Sequence, residues 1–356
     1  YDADRGRGNG QCPARFVNDS LSPSLKELRN SLARLSKESD DPDQQFELVR
    51  STDHCDALIA DLHDFLAQEQ TDRIHWVEAE GNASRTIRLR AAPLNVGPDV
   101  RRCLFDNYSP VILTSATLST GADGGFAFLA GRIGLTDYDG LQLDSPFDYQ
   151  SQVTLYIEKG LPSPNDPEFL SDAAEVLKRY LLETSGRAFI LFTSYRMLND
   201  MADQLEDWLA EHGFGLLRQG AELDRSAKIA HFKANDHCVL FGTDSFWQGV
   251  DVPGQALSNV TIMRLPFAVP DQPLLAGRLD LIREQGGNPF MDYQLPSAII
   301  KFKQGFGRLI RSRNDKGIVV VLDSRIITKR YGQSFLAAIP DCRIEVVDGR
   351  STEIPE

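Results

Sequence analysis

The sequence has only five cysteines, Cys12, Cys55, Cys103, Cys238 and Cys342, and no two of them form a Cys-x-x-Cys pair. That spacing argues against a disulfide framework or a zinc module and fits a reducing cytoplasm. His54, Cys55 and His63 fall near one another, but at a spacing that suits no common metal site. Long apolar runs are missing too. The longest, such as Ile318 to Leu322, are strand-sized, far short of the roughly 18 residues that span a bilayer. The first ten residues are polar and glycine-rich, with no secretory pattern, and a start at Tyr1 suggests a processed or cut chain. No GxxxxGK[ST] segment is present, so the chain has no phosphate-cradling loop of that kind. None of the six histidines has an obvious Ser or Cys partner in sequence, which leaves a stand-alone enzyme for phosphorylated substrates without a convincing base or nucleophile.

What is present reads as a folded globular protein. Hydrophobic residues make up 42% and charged residues 25%, which excludes collagen-like, low-complexity and wholly disordered chains. At 356 residues the chain has room for two or three folded units. The net charge of −13 argues against a general nucleic-acid coat protein. Residues 301–330 break that balance with nine basic against two acidic side chains, a net +7, so the remainder carries −20. A positive segment in an acidic protein is either a local anion site or a solvated basic helix face.

The hydrophobic periods divide the chain. Helices are expected over Ser24 to Lys37 and Gln44 to Gln68, as a helical hairpin interrupted by the stretch Glu38 to Pro42. Strands Ile74 to Val77 and Thr86 to Leu89, a helix Val96 to Phe105 and a strand Val111 to Leu113 follow. From about Ser151 strands and helices alternate. The expected strands are Val153 to Ile157, Ala188 to Phe192, Phe214 to Leu217, Val239 to Phe241, Val260 to Met263, Ile318 to Leu322 and Arg343 to Val347. Between them come helices at Phe169 to Leu182, Met197 to Glu211, Ser226 to Ala234, Leu274 to Gln285 and Leu295 to Arg311, with one more after Leu322. Such alternation implies an α/β fold, a parallel sheet with helices on both faces, preceded by a helical region.

Ligands of parallel sheets bind beyond the carboxyl ends of the strands. Three post-strand loops there are rich in hydroxyls and small residues: Thr114 to Thr117, Thr193 to Arg196, and Gly242 to Gly254. They can offer N–H and hydroxyl groups to phosphate oxygens, or serve only as turns and helix caps. The segment Gln304 to Arg311, QGFGRLIR, says more. As a helix it would align Gln304, Arg308 and Arg311 on one face, where two guanidiniums can grip a polyphosphate. Gly305 and Gly307 would each cost a helix about 1 kcal/mol relative to Ala, so the segment needs close backbone approach or is not a regular helix.

These residues carry a family resemblance. The chain resembles the C-terminal part of DinG-type DNA helicases, bacterial relatives of XPD in helicase superfamily 2. In family order it shows Thr114-Ser115-Ala116-Thr117-Leu118 (motif III), Leu191 to Tyr195 (motif IV), Gly242 to Asp251 (motif V), Arg264 to Pro270, Gly286 to Phe290, Asp292 to Pro296 and Gln304 to Arg311 (motif VI), over about residues 72–340. The resemblance implies RecA-like motor domains and ATP-driven, 5′→3′ DNA unwinding in repair or replication. It implies that Gln304, Arg308, Arg311, Asp251 and Gly249 bind ATP, with Arg311 at the arginine-finger position and Arg308 beside it as catalytic arginines. Ser115 and Thr117 would couple hydrolysis to strand movement. Thr193, Ser194, Tyr195, Gln219 and Thr243 would touch single-stranded DNA, with Gly220 in the turn beside Gln219. Gln248 departs from the pattern, where glutamate is usual. Trp247 is either a base-stacking platform or a core residue.

The sequence also lacks the Asp-Glu-x-His segment that holds Mg²⁺ in this family, and its four iron–sulfur cysteines. The resemblance therefore implies a truncated helicase: residues 1–71 as the trailing part of the helical arch insertion, 72–150 as the returning edge of the first motor domain and 151–356 as the second. ATP, Mg²⁺ and single-stranded DNA would be partners of the intact enzyme, a cytoplasmic monomer without membrane attachment. The iron–sulfur cluster would sit in the missing N-terminal half, and the fragment alone would be inactive. The competing reading is a non-catalytic α/β module that docks single-stranded DNA or a protein.

Overall fold

Short, wholly apolar runs such as Ala188 to Leu191 and Ile318 to Val321 suit strands buried on both faces. In the computed structural model of the chain they lie inside a seven-stranded parallel sheet. The structure describes residues 10–80, 86–121, 125–220, 224–247 and 257–348. In chain order the elements begin with helices α1 (Ser22–Glu38) and α2 (Pro42–Ala67), strands β1 (Arg73–Glu80) and β2 (Thr86–Pro93), and helices α3 (Gly97–Val100), α4 (Ala127–Ile133) and α5 (Tyr149–Gln152). Then come β3 (Val153–Glu158), α6 (Phe169–Glu183), β4 (Ala188–Leu191), α7 (Tyr195–Glu211), β5 (Gly215–Arg218), α8 (Arg225–Ala234), β6 (Cys238–Gly242), α9 (Asp244–Trp247) and β7 (Asn259–Ile262). The last are α10 (Pro273–Glu284), α11 (Leu295–Phe306), β8 (Gly317–Val321), α12 (Arg325–Thr328), α13 (Gly332–Leu336) and β9 (Arg343–Val347).

The chain divides into two compact units, one of residues 1–99 with 269–289, the other of residues 100–268 with 290–356. This division runs differently from the boundaries at 72 and 151 implied by the resemblance. In the first unit, Pro42 opens α2 at a position where its missing N–H costs nothing, and the Asp41 side chain accepts from the Asp43 N–H. β1 and β2 form an antiparallel hairpin, from Arg73 opposite Pro93 to Glu80 opposite Thr86. α10 packs close to β1 because Gly277 has no side chain: a Cβ there would stand 2.8 Å from both Ile74 Cδ1 and Leu94 Cδ2.

The second unit holds the sheet, in the order β5-β6-β4-β7-β8-β3-β9. Alternate strand residues enter two separate cores. Phe189, Leu191, Val260, Ile262, Val319 and Val321 pack with α11 and α13 on one face. Ala188, Ile190, Val239, Phe241, Ile318 and Val320 pack with α6 and α7 on the other. Both faces are thus covered, the RecA-like arrangement. α7 shows why: Leu198, Met201, Ala202, Leu205 and Leu209 form one fully buried stripe, Ser194 caps its start, and Gly213 in the left-handed region (φ 72°) follows its end.

Three expectations need correction. Val111 to Leu113 is not a strand; none of the described segments pairs with it, and Ile112 is 83% exposed. The helix expected over Val96 to Phe105 is the short α3 followed by a π-helical turn over Arg101–Phe105. The helix expected over Leu295 to Arg311 stops at Phe306, with Gly307 after it.

Candidate nucleotide and nucleic-acid site

The carboxyl ends of β4, β5 and β6, three adjacent strands, carry Thr193 to Tyr195, Gln219 and Thr243. One side chain ties the three exits together. The Gln219 amide donates from Nε2 to the Tyr195 hydroxyl at 2.5 Å, and its Oε1 accepts from the Thr243 N–H at 2.7 Å and the Thr243 hydroxyl at 3.0 Å. Thr243 is therefore buried and committed to Gln219. Ser194 is exposed, yet its hydroxyl accepts from the Met197 N–H as the α7 cap. Tyr195 is half exposed at 52%, and Thr193 is half-buried. Of the proposed strand-contacting set, Tyr195 and Ser194 are thus the ones presented to solvent, while Gln219 and Thr243 hold the loops.

The next link is Trp247. Its indole N–H donates to the Phe192 carbonyl at 3.0 Å, which fastens the β6 exit to the β4 exit. Its ring is fully buried, so the core alternative is correct and base stacking by this residue is excluded. The buried ring lies against the backbone of Gly305: a Cβ there would stand 3.0 Å from Leu191 Cδ1 and from Cε3 and Cζ3 of Trp247. Close backbone approach thus explains Gly305, and helix termination explains Gly307. Gly305→Ala should lower stability by about 1 kcal/mol, because overpacking of ~1–3 kcal/mol exceeds the ~1 kcal/mol helix gain. Urea unfolding of the purified chain measures this; a stability equal to or above that of the parent shows that the Trp247 ring can give way.

Because α11 ends at Phe306, Gln304, Arg308 and Arg311 do not share a helical face. They are held separately. Gln304 Nε2 donates to the Thr117 hydroxyl at 3.3 Å, so the motif VI glutamine meets the Ser-Ala-Thr loop. Within that loop Ser115 Oγ accepts from the Thr117 N–H at 3.2 Å. Arg308 is half-buried and gives both Nε (3.1 Å) and Nη2 (2.7 Å) to the Trp247 carbonyl. Arg311 is exposed, in the loop between α11 and β8. Asp251, Gly249 and Gln248 lie outside the described residues.

A second buried knot stabilises the exits of β7 and β8. Asp323, fully buried, accepts from the Leu265 N–H at 2.8 Å, the Arg325 N–H at 3.1 Å, and Arg325 Nε and Nη2 at 2.8 and 2.6 Å. Hydrogen bonding to Asp323 raises the Arg325 pKa, and burial lowers that of neighbouring Arg264. Sequence reading missed both Asp323 and Arg325, whose pairing two residues apart only the loop geometry creates.

Among the described residues, no group of three or more His, Cys, Asp or Glu side chains is arranged to hold a metal ion. No described helix is long and apolar enough to cross a membrane.

Comparison with known proteins fits this geometry. Residues 177–342 match the helicase C-terminal domain family. The chain is 38% identical over 276 residues to the Bacillus subtilis protein named 3′-5′ exonuclease DinG, covering 76% of this chain and 29% of that protein. It is 38% identical over 266 residues to the ATP-dependent DNA helicase YoaA of Escherichia coli, covering 75% of this chain and 40% of that one. An XPD helicase structure matches with a TM-score of 0.61 at 16% identity, over 95% of this chain and 58% of that one, a likeness of fold. The chain thus spans well under half the length of these two sequence relatives.

Proposed function

Taking as premise that this chain is the C-terminal part of a DinG-type, XPD-like superfamily 2 helicase, we propose that it supplies one jaw of an ATP-dependent DNA motor. Residues 151–356, which supply all seven strands of the parallel sheet, are read as the second motor domain. Residues 72–150 are read as the edge of the first, and residues 1–71 as the end of the arch insertion. The single observation that carries this reading is the chain of bonds from Tyr195 through Gln219 to Thr243, and from Phe192 through Trp247 to Arg308. It joins loops suited to a nucleic-acid backbone with the segment that bears the arginines.

In this reading Arg311 reaches the γ-phosphoryl group of ATP held by an upstream motor half and neutralises charge developing on its oxygens. Arg308 holds the motif V backbone against motif VI. Gln304 passes the state of the nucleotide to Thr117 and Ser115. Asp251 and Gly249 complete the nucleotide contacts, and Thr193, Ser194 and Tyr195 meet the single strand. Movement is 5′→3′, in repair or replication. The upstream half brings the phosphate loop, the Mg²⁺ ligands and an iron–sulfur cluster.

The test compares two proteins. The purified chain alone should turn over no ATP. The intact protein, in which a phosphate-loop half precedes residues 1–356, should hydrolyse ATP faster when single-stranded DNA is added. Appreciable turnover by the chain alone, or a full-length protein indifferent to DNA, contradicts the reading.

A further inference from the structure

Arg311 combines an exposed side chain with a backbone fixed from three directions. Just before it, Leu309 and Ile310 are buried at 2% and 3% exposure and anchor the segment in the core. Just after it, the Asp315 carboxylate folds back. Its Oδ2 accepts from the N–H groups of Arg311 and Ser312, both at 2.8 Å, and its Oδ1 accepts from the Ser312 hydroxyl at 2.8 Å. From the side, Gln152 donates through Nε2 to the carbonyls of Ser312 at 3.0 Å and Asp315 at 2.7 Å. Gln152 lies some 160 residues away in sequence, at the end of α5. The parallel pairing of Val153 with Gly317 brings it here.

Both clamping side chains are buried, Gln152 at 5% and Asp315 at 8% exposure. Burying a carboxylate and an amide beside a surface loop is costly unless their bonds are made. Here the bonds are made: those of the Asp315 carboxylate end on the two peptide units flanking Arg311, and those of Gln152 on the Ser312 and Asp315 carbonyls of the same loop. A guanidinium that must meet a phosphoryl group only in the transition state gains from such a fixed base, because less ordering is left for the moment of reaction.

We propose that Gln152 and Asp315 are positioning residues for Arg311, holding the 311–315 loop so that the guanidinium is presented in one place. This inference rests on the arginine-finger reading above. Neither residue touches the nucleotide; Asp315 acts through the backbone N–H of residue 311, and Gln152 through the carbonyls of Ser312 and Asp315 that close the same loop.

The experiment has two arms. In the chain alone, Asp315→Asn and Gln152→Ala should each speed amide hydrogen exchange at Arg311 and Ser312, by about tenfold or more, with the β8 amides unchanged. In the intact protein, each should lower kcat for DNA-stimulated ATP hydrolysis by about ten- to a hundredfold, the scale of a misplaced catalytic group, with the KM for ATP nearly unchanged. The double variant Gln152→Ala with Arg311→Ala should be no slower than Arg311→Ala alone. Wild-type exchange in both single variants overturns the clamp. Faster exchange with wild-type kcat, or losses that multiply in the double variant, overturns the positioning role. Near-normal turnover by Arg311→Ala itself instead rejects the finger reading on which the inference stands. A variant that does not fold is replaced by Gln152→Met, which keeps most of the side-chain volume but removes the amide donor, and the same outcomes apply.

Discussion

Arg311→Ala in the intact protein should cut ATP turnover by about 10³-fold or more, the scale of arginine-finger loss. The structure gives reasons to expect so large an effect from this arginine rather than from Arg308. Arg308 gives two of its nitrogens to the Trp247 carbonyl, so its guanidinium is partly spent on holding motif V. Arg311 is exposed, and its backbone N–H, which the alanine variant keeps, is bonded to Asp315, so the tether of the loop survives the loss of the charge. Unfolding of the variant chain should therefore cost no more than about 1 kcal/mol. Near-normal turnover would reject the assignment. A large loss of stability would show that the side chain also supports the fold.

Asp323→Ala should destabilise the chain by about 3–5 kcal/mol, the cost of removing one partner from a buried ion pair. Four hydrogen bonds end on that carboxylate, and Arg325, 28% exposed, would keep its charge with its main partner gone. The Leu265 N–H, also buried, would lose its acceptor. Asp323→Asn should cost less, since one amide oxygen still accepts from Leu265. Urea unfolding with an unchanged m-value is the measurement. A loss below about 1 kcal/mol for the alanine variant would mean that the exits of β7 and β8 repack without the knot.

Much of this architecture is legible in the sequence because burial imposes a period. The stripe Leu198, Met201, Ala202, Leu205 and Leu209 and the run Val319 to Leu322 could face only a core, and both do. Val111 to Leu113 misled because an apolar triplet states that a segment is extended and apolar, not that a neighbour exists to pair with it. The early end of α11 was signalled by Gly305 and Gly307, whose cost made a regular helix through Arg311 unfavourable. The site was legible as types of residue but not as a wiring diagram. Gln219 bonds across 24 residues to both Tyr195 and Thr243, and Gln152 reaches Ser312 across 160; no local spacing encodes such pairs. They follow from strand order, which puts β5, β6 and β4 side by side and β3 next to β8.

The most direct measurement is a structure of the intact protein with a non-hydrolysable ATP analogue and single-stranded DNA. The account predicts the Arg311 guanidinium within hydrogen-bond reach of the γ-phosphate position, about 3 Å, with the 311–315 loop still closed by Asp315 and Gln152. An Arg311 side chain directed away from the nucleotide, with another cation on the γ-phosphate, would contradict it.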